Sequence, residues 1–145
     1  MKENEISEKL FSLIKNNIKW MKDKLENNEP FSALLLTFHP DGLKSTKYGF
    51  DTIFKSYLEF KYDLFKNLKD TEKYVFGFNA LVKIENKKQK VFVLRIEETG
   101  IICAFELFQK YNFENSNKNI KNSVELIEDI NLLASVRPLL RDISG

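Results

Sequence analysis

Few residues in this chain are of a type and spacing that could do acid–base or nucleophilic chemistry. His39 is the only histidine, and it stands two positions before Asp41 in the stretch His39-Pro40-Asp41-Gly42. A histidine beside a carboxylate can move a proton near neutral pH. Turns also collect Pro, Asp and Gly for backbone reasons, so the stretch needs no chemistry to explain it. We expect a turn here and keep the acid–base pair as the alternative.

Cys103 and three carboxylates are the remaining candidates. Cys103 lies in an apolar run, which favours a buried small side chain over a nucleophile, since a nucleophile needs a histidine partner. Glu97, Glu98 and Glu106 could meet across a hairpin, and paired carboxylates serve acid–base and metal chemistry. Adjacent strand residues point to opposite faces, however, so we expect Glu97 and Glu98 to be solvated turn residues.

The chain shows no phosphate-binding loop, no dinucleotide fingerprint and no metal-spaced set of His and Cys. We therefore predict no catalytic, cofactor-binding or metal-binding residues, which weighs against an enzyme. An interaction surface is predicted at Trp20, Phe11 and Met21, because Trp20 sits off the main apolar stripe of the first helix and can extend it into a surface patch. The alternative is a Trp at the margin of the core.

Two helices are predicted in the first half of the chain. Apolar residues recur every three or four positions over residues 4–27, with Asn4 or Ser7 as the cap. A second stripe begins at Asp51, a good helix cap, and is expected to end near residues 69–70. Each helix needs a sheet face on which to bury its apolar stripe.

Strands are predicted between and after these helices. Residues 31–38 are apolar on both faces, which indicates a central strand, and residues 43–48 are polar, which indicates an edge strand. A three-stranded meander follows at residues 74–85, 91–96 and 101–109, with turns at residues 86–89 and 97–100.

The last part of the chain is predicted as a loop followed by a helix. Residues 111–121 are rich in Asn, Lys and Ser, which is typical of loops. Asn122 and Glu125 form a potential capping box for a last helix, which Pro138 is expected to end or bend. The expected fold is α+β, with one antiparallel sheet of about five strands packed with helices, in the order α-β-β-α-β-β-β-α.

Composition indicates a single globular domain spanning 1–145. The formal net charge is only +2, and just three of the 23 basic residues are arginine, whereas a nucleic-acid interface usually has a larger, arginine-rich excess. The lone cysteine excludes an internal disulfide, and no apolar run approaches the ~20 residues of a membrane span. The acidic, polar N-terminus lacks the features of a signal peptide. We expect a cytoplasmic protein that binds neither nucleic acid nor membrane.

Part of the chain resembles small uncharacterised bacterial α+β proteins. The shared pattern is an aromatic-rich strand that leads into hairpins with an E-x-x-G turn, here Glu97 to Gly100, and a strand closing on Tyr111, after an earlier Asp41-Gly42. The element order is also similar to roadblock and profilin-like folds, which are binding platforms. The resemblance implies no activity. The expected function is a non-catalytic protein-interaction or accessory (immunity-type) domain, with a protein partner or a homodimer. The alternative is a small-ligand-binding protein or an enzyme with a pocket between the sheet and the second helix.

Overall fold

The described residues form a six-stranded antiparallel sheet with one helix on each face. The computed structural model describes residues 7–49, 52–66, 70–99, 104–115 and 121–140. In chain order the elements are α1 (Glu8–Glu26), β1 (Ala33–His39), β2 (Gly42–Tyr48), α2 (Ile53–Lys66), β3 (Lys73–Ile84), β4 (Lys87–Glu98), β5 (Ala104–Glu114) and β6 (Ser123–Val136). The strand order is β2-β1-β3-β4-β5-β6, and each neighbouring pair is antiparallel. The predicted α+β class with a single antiparallel sheet is confirmed.

Helix α1 begins where a cap was predicted. The Ser7 side chain accepts a hydrogen bond from the Leu10 amide at 3.2 Å, which satisfies one of the unpaired donors at the helix start. The helix covers one face of the sheet, and its buried residues join Leu34, Val75 and Leu94 in one core cluster.

A glycine in the sheet lets α1 approach closely. A Cβ atom at Gly77 would lie only 2.2 Å from Asn17 Oδ1 and 2.9 Å from Met21 Cε. Asn17 is fully buried, and its Nδ2 donates to the carbonyls of Leu34 and Val75 at 3.0 and 3.1 Å. These two acceptors fix the orientation of the amide, so Asn17 Oδ1 faces Gly77, and it finds no donor among the described residues.

Strands β1 and β2 take the places predicted for them. β1 lies between β2 and β3 and is buried along nearly its whole length, because both of its faces are covered. β2 is at the edge and is mostly exposed.

Helix α2 covers the other face of the sheet. Phe60 stacks on Phe76 of β3 with ring centroids 4.4 Å apart, and Leu64 is fully buried beside them. The hydroxyl of Tyr48 donates to Asp63 Oδ2 at 2.6 Å and ties the helix to β2. The predicted cap Asp51 lies outside the described residues.

The predicted last helix is wrong, because residues 123–136 form β6 and bring the strand count to six. Without β6, β5 would present a row of unpaired amides and carbonyls at the sheet edge. The predicted loop at 111–121 is also too long, because β5 continues to Glu114. Residues 116–120 lie outside the described part.

Asn122 anchors the start of β6 instead of capping a helix. Its backbone amide donates to Glu26 O at 2.9 Å and its side chain donates to Leu25 O at 3.0 Å. Both bonds satisfy carbonyls at the end of α1, which have no partner within the helix.

The first turn of the meander is shorter than predicted. Ile84 pairs directly with Lys87, so the turn consists of Glu85 and Asn86 alone. Both have positive φ, 50° and 66°, as a two-residue type I′ hairpin requires. In the second turn Glu97 and Glu98 still belong to β4, while Gly100 lies outside the described residues.

Candidate functional site

The histidine and carboxylates that were candidates for acid–base chemistry do not converge. His39 ends β1, is buried, and its Nε2 lies 2.9 Å from Thr37 Oγ1, while Asp41 is exposed in the turn. Glu106 is on β5, three strand positions away in the sheet, which is at least about 14 Å. The His39–Asp41–Glu106 combination therefore forms no shared site.

A buried polar cluster that sequence reasoning missed lies on the α2 side of the sheet. Tyr74 on β3 and Arg95 and Glu97 on β4 are each no more than 5% exposed. Arg95 Nε donates to the Tyr74 hydroxyl at 2.9 Å, and that hydroxyl donates to Glu97 Oε1 at 2.8 Å. Glu97 also accepts the backbone amides of Leu139 at 2.8 Å and Leu140 at 2.9 Å. The expectation that Glu97 is a solvated turn residue is therefore wrong.

This cluster can hold the C-terminal segment but offers little to a substrate. Arg95 Nη2 donates to the carbonyl of Arg137, so both charged residues bind the same segment. Burial raises the pKa of Tyr74 well above its usual value, which keeps the phenol protonated. With both Glu97 oxygens occupied, we interpret the cluster as a clamp that fixes residues 137–140 over the sheet.

Glu98, the neighbour of Glu97, behaves quite differently. It points to the other side of the strand and forms an ion pair with Lys73 at 2.9 Å. Within the described ranges no three His, Cys, Asp or Glu residues are grouped to hold a metal ion, and Cys103 is outside those ranges. No helix in the described part of the chain is long and apolar enough to cross a membrane.

A cavity lies on the α1 side of the sheet, between α1 and β6. Its volume is about 410 Å³. Its apolar lining consists of Phe11, Ile14, Leu107, Ile130 and Leu132, and its polar lining consists of Lys15, Gln109, Glu128, Asp129 and Asn131. The sequence-based alternative placed a pocket on the opposite face, between the sheet and α2.

The cavity borders an irregular stretch of β6. The register between β5 and β6 shifts twice, between Glu106 and Leu107 and between Phe108 and Lys110. Glu128 has a φ of 61°, which is unusual for a residue other than glycine. Bulges of this kind redirect side chains and are common beside functional sites.

Gln109 holds this irregular stretch in place. Its Nε2 lies within 3.0 Å of the carbonyls of Lys110, Ile127 and Glu128. The side-chain nitrogen therefore links β5 to the carbonyls of β6 where the register shifts.

The three residues predicted as an interaction surface are placed separately. Trp20 is half-buried and meets Phe31 edge-to-face at 5.3 Å. Phe11 lines the cavity beside β6, and Met21 is fully buried in the core. An interaction surface centred on Trp20 and Phe11 stays a prediction, in which Met21 can support the surface only from beneath.

Two shallower hollows lie at the C-terminal end of α1, close to Trp20. Their volumes are about 270 and 280 Å³, and both are lined by Leu25, Asn79 and Phe113. The charged residues of these hollows are already engaged, because Lys24 pairs with Glu29 at 2.6 Å and Lys90 Nζ lies 4.7 Å from the centre of the Phe113 ring.

The outward side of α2 carries the most exposed apolar residues of either helix. Phe54, Leu58, Tyr62 and Phe65 are 68%, 49%, 53% and 41% exposed. At 100° per residue these four form one stripe, which we call the outer stripe. It lies roughly opposite Phe60 and Leu64, which face the core. An apolar pattern on two sides of one helix is a sequence signal for such a surface, although only the core-facing stripe of this helix was predicted.

Comparison of the chain with protein-family models, with curated proteins and with solved structures finds no match.

Proposed function

We propose that this chain is a non-catalytic protein-interaction domain of the accessory type, and that the outer stripe of α2 is its docking surface. The observation that carries the proposal is the exposure of Phe54, Leu58, Tyr62 and Phe65 along one line of one helix. Isolated exposed apolar residues are ordinary, but contiguous apolar patches mark interaction sites. Aromatic side chains also contribute most strongly to binding energy in protein interfaces.

The charges beside the outer stripe favour an acidic partner. Lys55 and Lys66 border the stripe on one side and Lys61 on the other, and none of the three forms an ion pair with a described residue. Glu59 is the one carboxylate beside the stripe, because Asp63 is turned to Tyr48. We therefore propose that the partner presents an amphipathic helix whose apolar ridge is flanked by Asp or Glu.

A second copy of the chain fits this surface less well. In an antiparallel two-fold pairing centred between Leu58 and Tyr62, Lys55 would face Lys66 of the other copy and Glu59 would face its own equivalent. Like charges placed opposite each other oppose association. Helix α2 has 14 residues, so it is only about 21 Å long, and pairing through it alone would give a small interface for a stable dimer.

An anionic membrane surface is also less favoured. Membrane attraction grows with the number of uncompensated cations near the lipid, and the three lysines of α2 are partly offset by Glu59. Helix α2 is also fixed to the sheet through Phe60 and Tyr48, which suits a rigid docking surface.

Two labelled synthetic peptides test the proposal by fluorescence anisotropy. One is an amphipathic helix with a leucine ridge flanked by Glu, and the other replaces each Glu by Lys. We expect the acidic peptide to bind roughly tenfold more tightly than the basic one, and added salt to reduce the difference. The variant Leu58→Ser should lose binding without loss of stability, and Ser45→Ala, on exposed β2, is the matched control.

Three outcomes would contradict the proposal. Equal binding of the two peptides, or no binding of either, would rule out an acidic helix as the partner. A dimer seen by light scattering and abolished by Leu58→Ser would identify a second copy as the occupant. Binding to phosphatidylglycerol vesicles that depends on Leu58, without acidic-peptide binding, would make the surface a membrane contact.

We also propose a bacterial, cytoplasmic setting and no nucleic-acid partner. The support is the loose resemblance to small bacterial α+β proteins, the single cysteine and the net charge of only +2. A gel-shift assay at low salt tests the last point, because a basic nucleic-acid interface binds most strongly there.

A further inference from the structure

We propose that the cavity between α1 and β6 binds a small zwitterion with an apolar side chain, of the size of an amino acid or a dipeptide. This proposal is independent of the outer stripe, because the cavity is on the α1 face of the sheet and the stripe is on the other side of the molecule. A cavity of about 410 Å³ is at the small end of the range that binds low-molecular-weight ligands.

The floor of the cavity is apolar. Ile14 and Leu107 are at most 1% exposed, so they form a dry base, while Leu132 on β6 is 41% exposed and stands at the open side. An apolar side chain placed here would cover Leu132 and Phe11. The gain in buried apolar area favours a ligand with a hydrocarbon or aromatic side chain.

The two sides of the cavity mouth carry opposite charges. Lys15 extends from α1 with its Nζ 4.6 Å from the centre of the Phe11 ring. On β6, Glu128 pairs with Lys110 at 3.1 Å, and Asp129 forms no ion pair with any described residue. A ligand with one anionic and one cationic end can meet both sides at once, whereas a singly charged ligand leaves one side unmatched.

Gln109 supplies a fixed acceptor in the wall. The side chain is only 5% exposed, and its Nε2 is held by backbone carbonyls of the irregular stretch. Its Oε1 accepts no hydrogen bond from the described residues, although Oε1 is not sealed from solvent. A primary ammonium group has three donors and no acceptor, so it suits Gln109 Oε1 together with Asp129.

These features orient the ligand. The ammonium lies toward Gln109 and Asp129, the carboxylate lies toward Lys15, and the side chain lies against Phe11 and Leu132, above the buried Ile14 and Leu107. Phosphate-bearing ligands are disfavoured, because two of the charged groups in the lining are carboxylates, which repel a phosphate.

An NMR titration of the isotope-labelled chain with three probes tests the inference. The probes are phenylalanine, phenethylamine, which lacks the carboxylate, and hydrocinnamate, which lacks the ammonium. We expect phenylalanine to shift the backbone amides around Ile14 and Leu107 with a dissociation constant of about 1–10 mM. It should bind roughly tenfold more tightly than either singly charged probe.

Two variants separate the contributions of the charges. Lys15→Met should erase the advantage of phenylalanine over phenethylamine, and Asp129→Asn should erase its advantage over hydrocinnamate. Lys19→Met, on the exposed side of α1, is the matched control and should change neither ratio.

Several results would overturn the assignment. They are the absence of a saturable shift around the cavity, equal affinity of the three probes, tighter binding of a singly charged probe, and an equal effect of the two variants on all probes. Each is readable with folded protein, because both substitutions are at exposed positions.

Discussion

Helices α1 and α2 lie on opposite faces of one sheet and bury similar apolar stripes, yet their outward sides differ. The exposed positions of α1 are all polar: Glu8, Lys9, Ser12, Lys15, Asn16, Lys19 and Asp23. The corresponding side of α2 is dominated by Phe54, Leu58, Tyr62 and Phe65. Helix α1 therefore has the pattern of a helix that meets only the core and water. Helix α2 has an additional apolar side that the described fold does not use.

The two helices are also fixed to the sheet by different means. Helix α1 is seated by close backbone approach at Gly77 and by two side-chain hydrogen bonds from Asn17. Helix α2 is held by ring stacking on Phe76 and by the Tyr48–Asp63 bond. The α1 contact depends on the absence of a side chain and the α2 contact on large side chains, so we expect the two faces to respond differently to substitution.

The largest expected difference is between two phenylalanines of α2. Phe60→Ala removes a fully buried ring that stacks on Phe76 and should lower the free energy of unfolding by about 3–5 kcal/mol. Phe54→Ala removes a ring that is 68% exposed, and it should change stability by less than about 0.5 kcal/mol. Urea denaturation of both variants measures the two changes in the free energy of unfolding. A large loss in Phe54→Ala would mean that the outer stripe is part of the core and is no docking surface.

The next effect concerns the α1 face. Gly77→Ala places a Cβ within 2.2 Å of Asn17 Oδ1, which forces the helix outward, and overpacking of this kind should cost about 2–3 kcal/mol. Gly49→Ala is the matched control, because a Cβ at Gly49 meets nothing within 4 Å. Thermal denaturation of the two variants compares them directly. Equal stabilities would show that α1 does not depend on close approach to β3.

The elements that could be predicted from the sequence are those whose residue pattern is local. The stripe of α1, the Ser7 cap and the central position of β1 follow from residues that are neighbours in the chain. Strand β6 could not be predicted in the same way, because its apolar residues fit helical spacing and β5 supplies the partner that decides the outcome. Tertiary pairing here overrides the local pattern.

The candidate sites were harder to predict for a similar reason. Glu97 has the neighbours of a turn residue, but its partners are the amides of Leu139 and Leu140, 42 and 43 positions away. Gln109 has the sequence neighbours of an ordinary strand residue, and its partner Ile127 is brought to it only by the pairing of β5 with β6. The exposed side of α2, by contrast, is a local pattern, because its apolar residues recur at helical spacing within one segment of the sequence.

A smaller effect separates the adjacent carboxylates of β4. Glu97→Gln keeps the shape but removes the charge that accepts two backbone amides and the Tyr74 hydroxyl, and it should cost about 2 kcal/mol. Hydrogen exchange at Leu139 and Leu140 should accelerate as the C-terminal segment loosens. Glu98→Gln, which affects the ion pair with Lys73, should leave that exchange unchanged. Equal exchange in the two variants would exclude Glu97 as the clamp on the α2 face.

The smallest effect concerns the bond between α2 and β2. Tyr48→Phe removes the hydroxyl that donates to Asp63 at 2.6 Å, and it should lower stability at neutral pH by about 1 kcal/mol. Tyr62→Phe, on the exposed side of the same helix, should change it by less than about 0.5 kcal/mol.

Alkaline pH sharpens this last test. Burial, assisted by the hydrogen bond to Asp63, raises the pKa of Tyr48 well above its usual value. Above pH ~10 the unfolded chain loses this proton while the folded chain retains it, so ionisation favours the unfolded state and stability falls as the pH rises. The stabilising contribution of the protonated Tyr48 hydroxyl is fully present below pH ~10 and is lost as the pH rises through the alkaline range. Tyr48→Phe should therefore flatten the decline of the free energy of unfolding by up to about 1.4 kcal/mol per pH unit. Burial raises the pKa of Tyr74 and Tyr111 as well, so part of the decline in stability should remain in the variant. If the slope of stability against pH is the same in Tyr48→Phe as in the unaltered chain, the protonated Tyr48 hydroxyl does not hold α2 against β2.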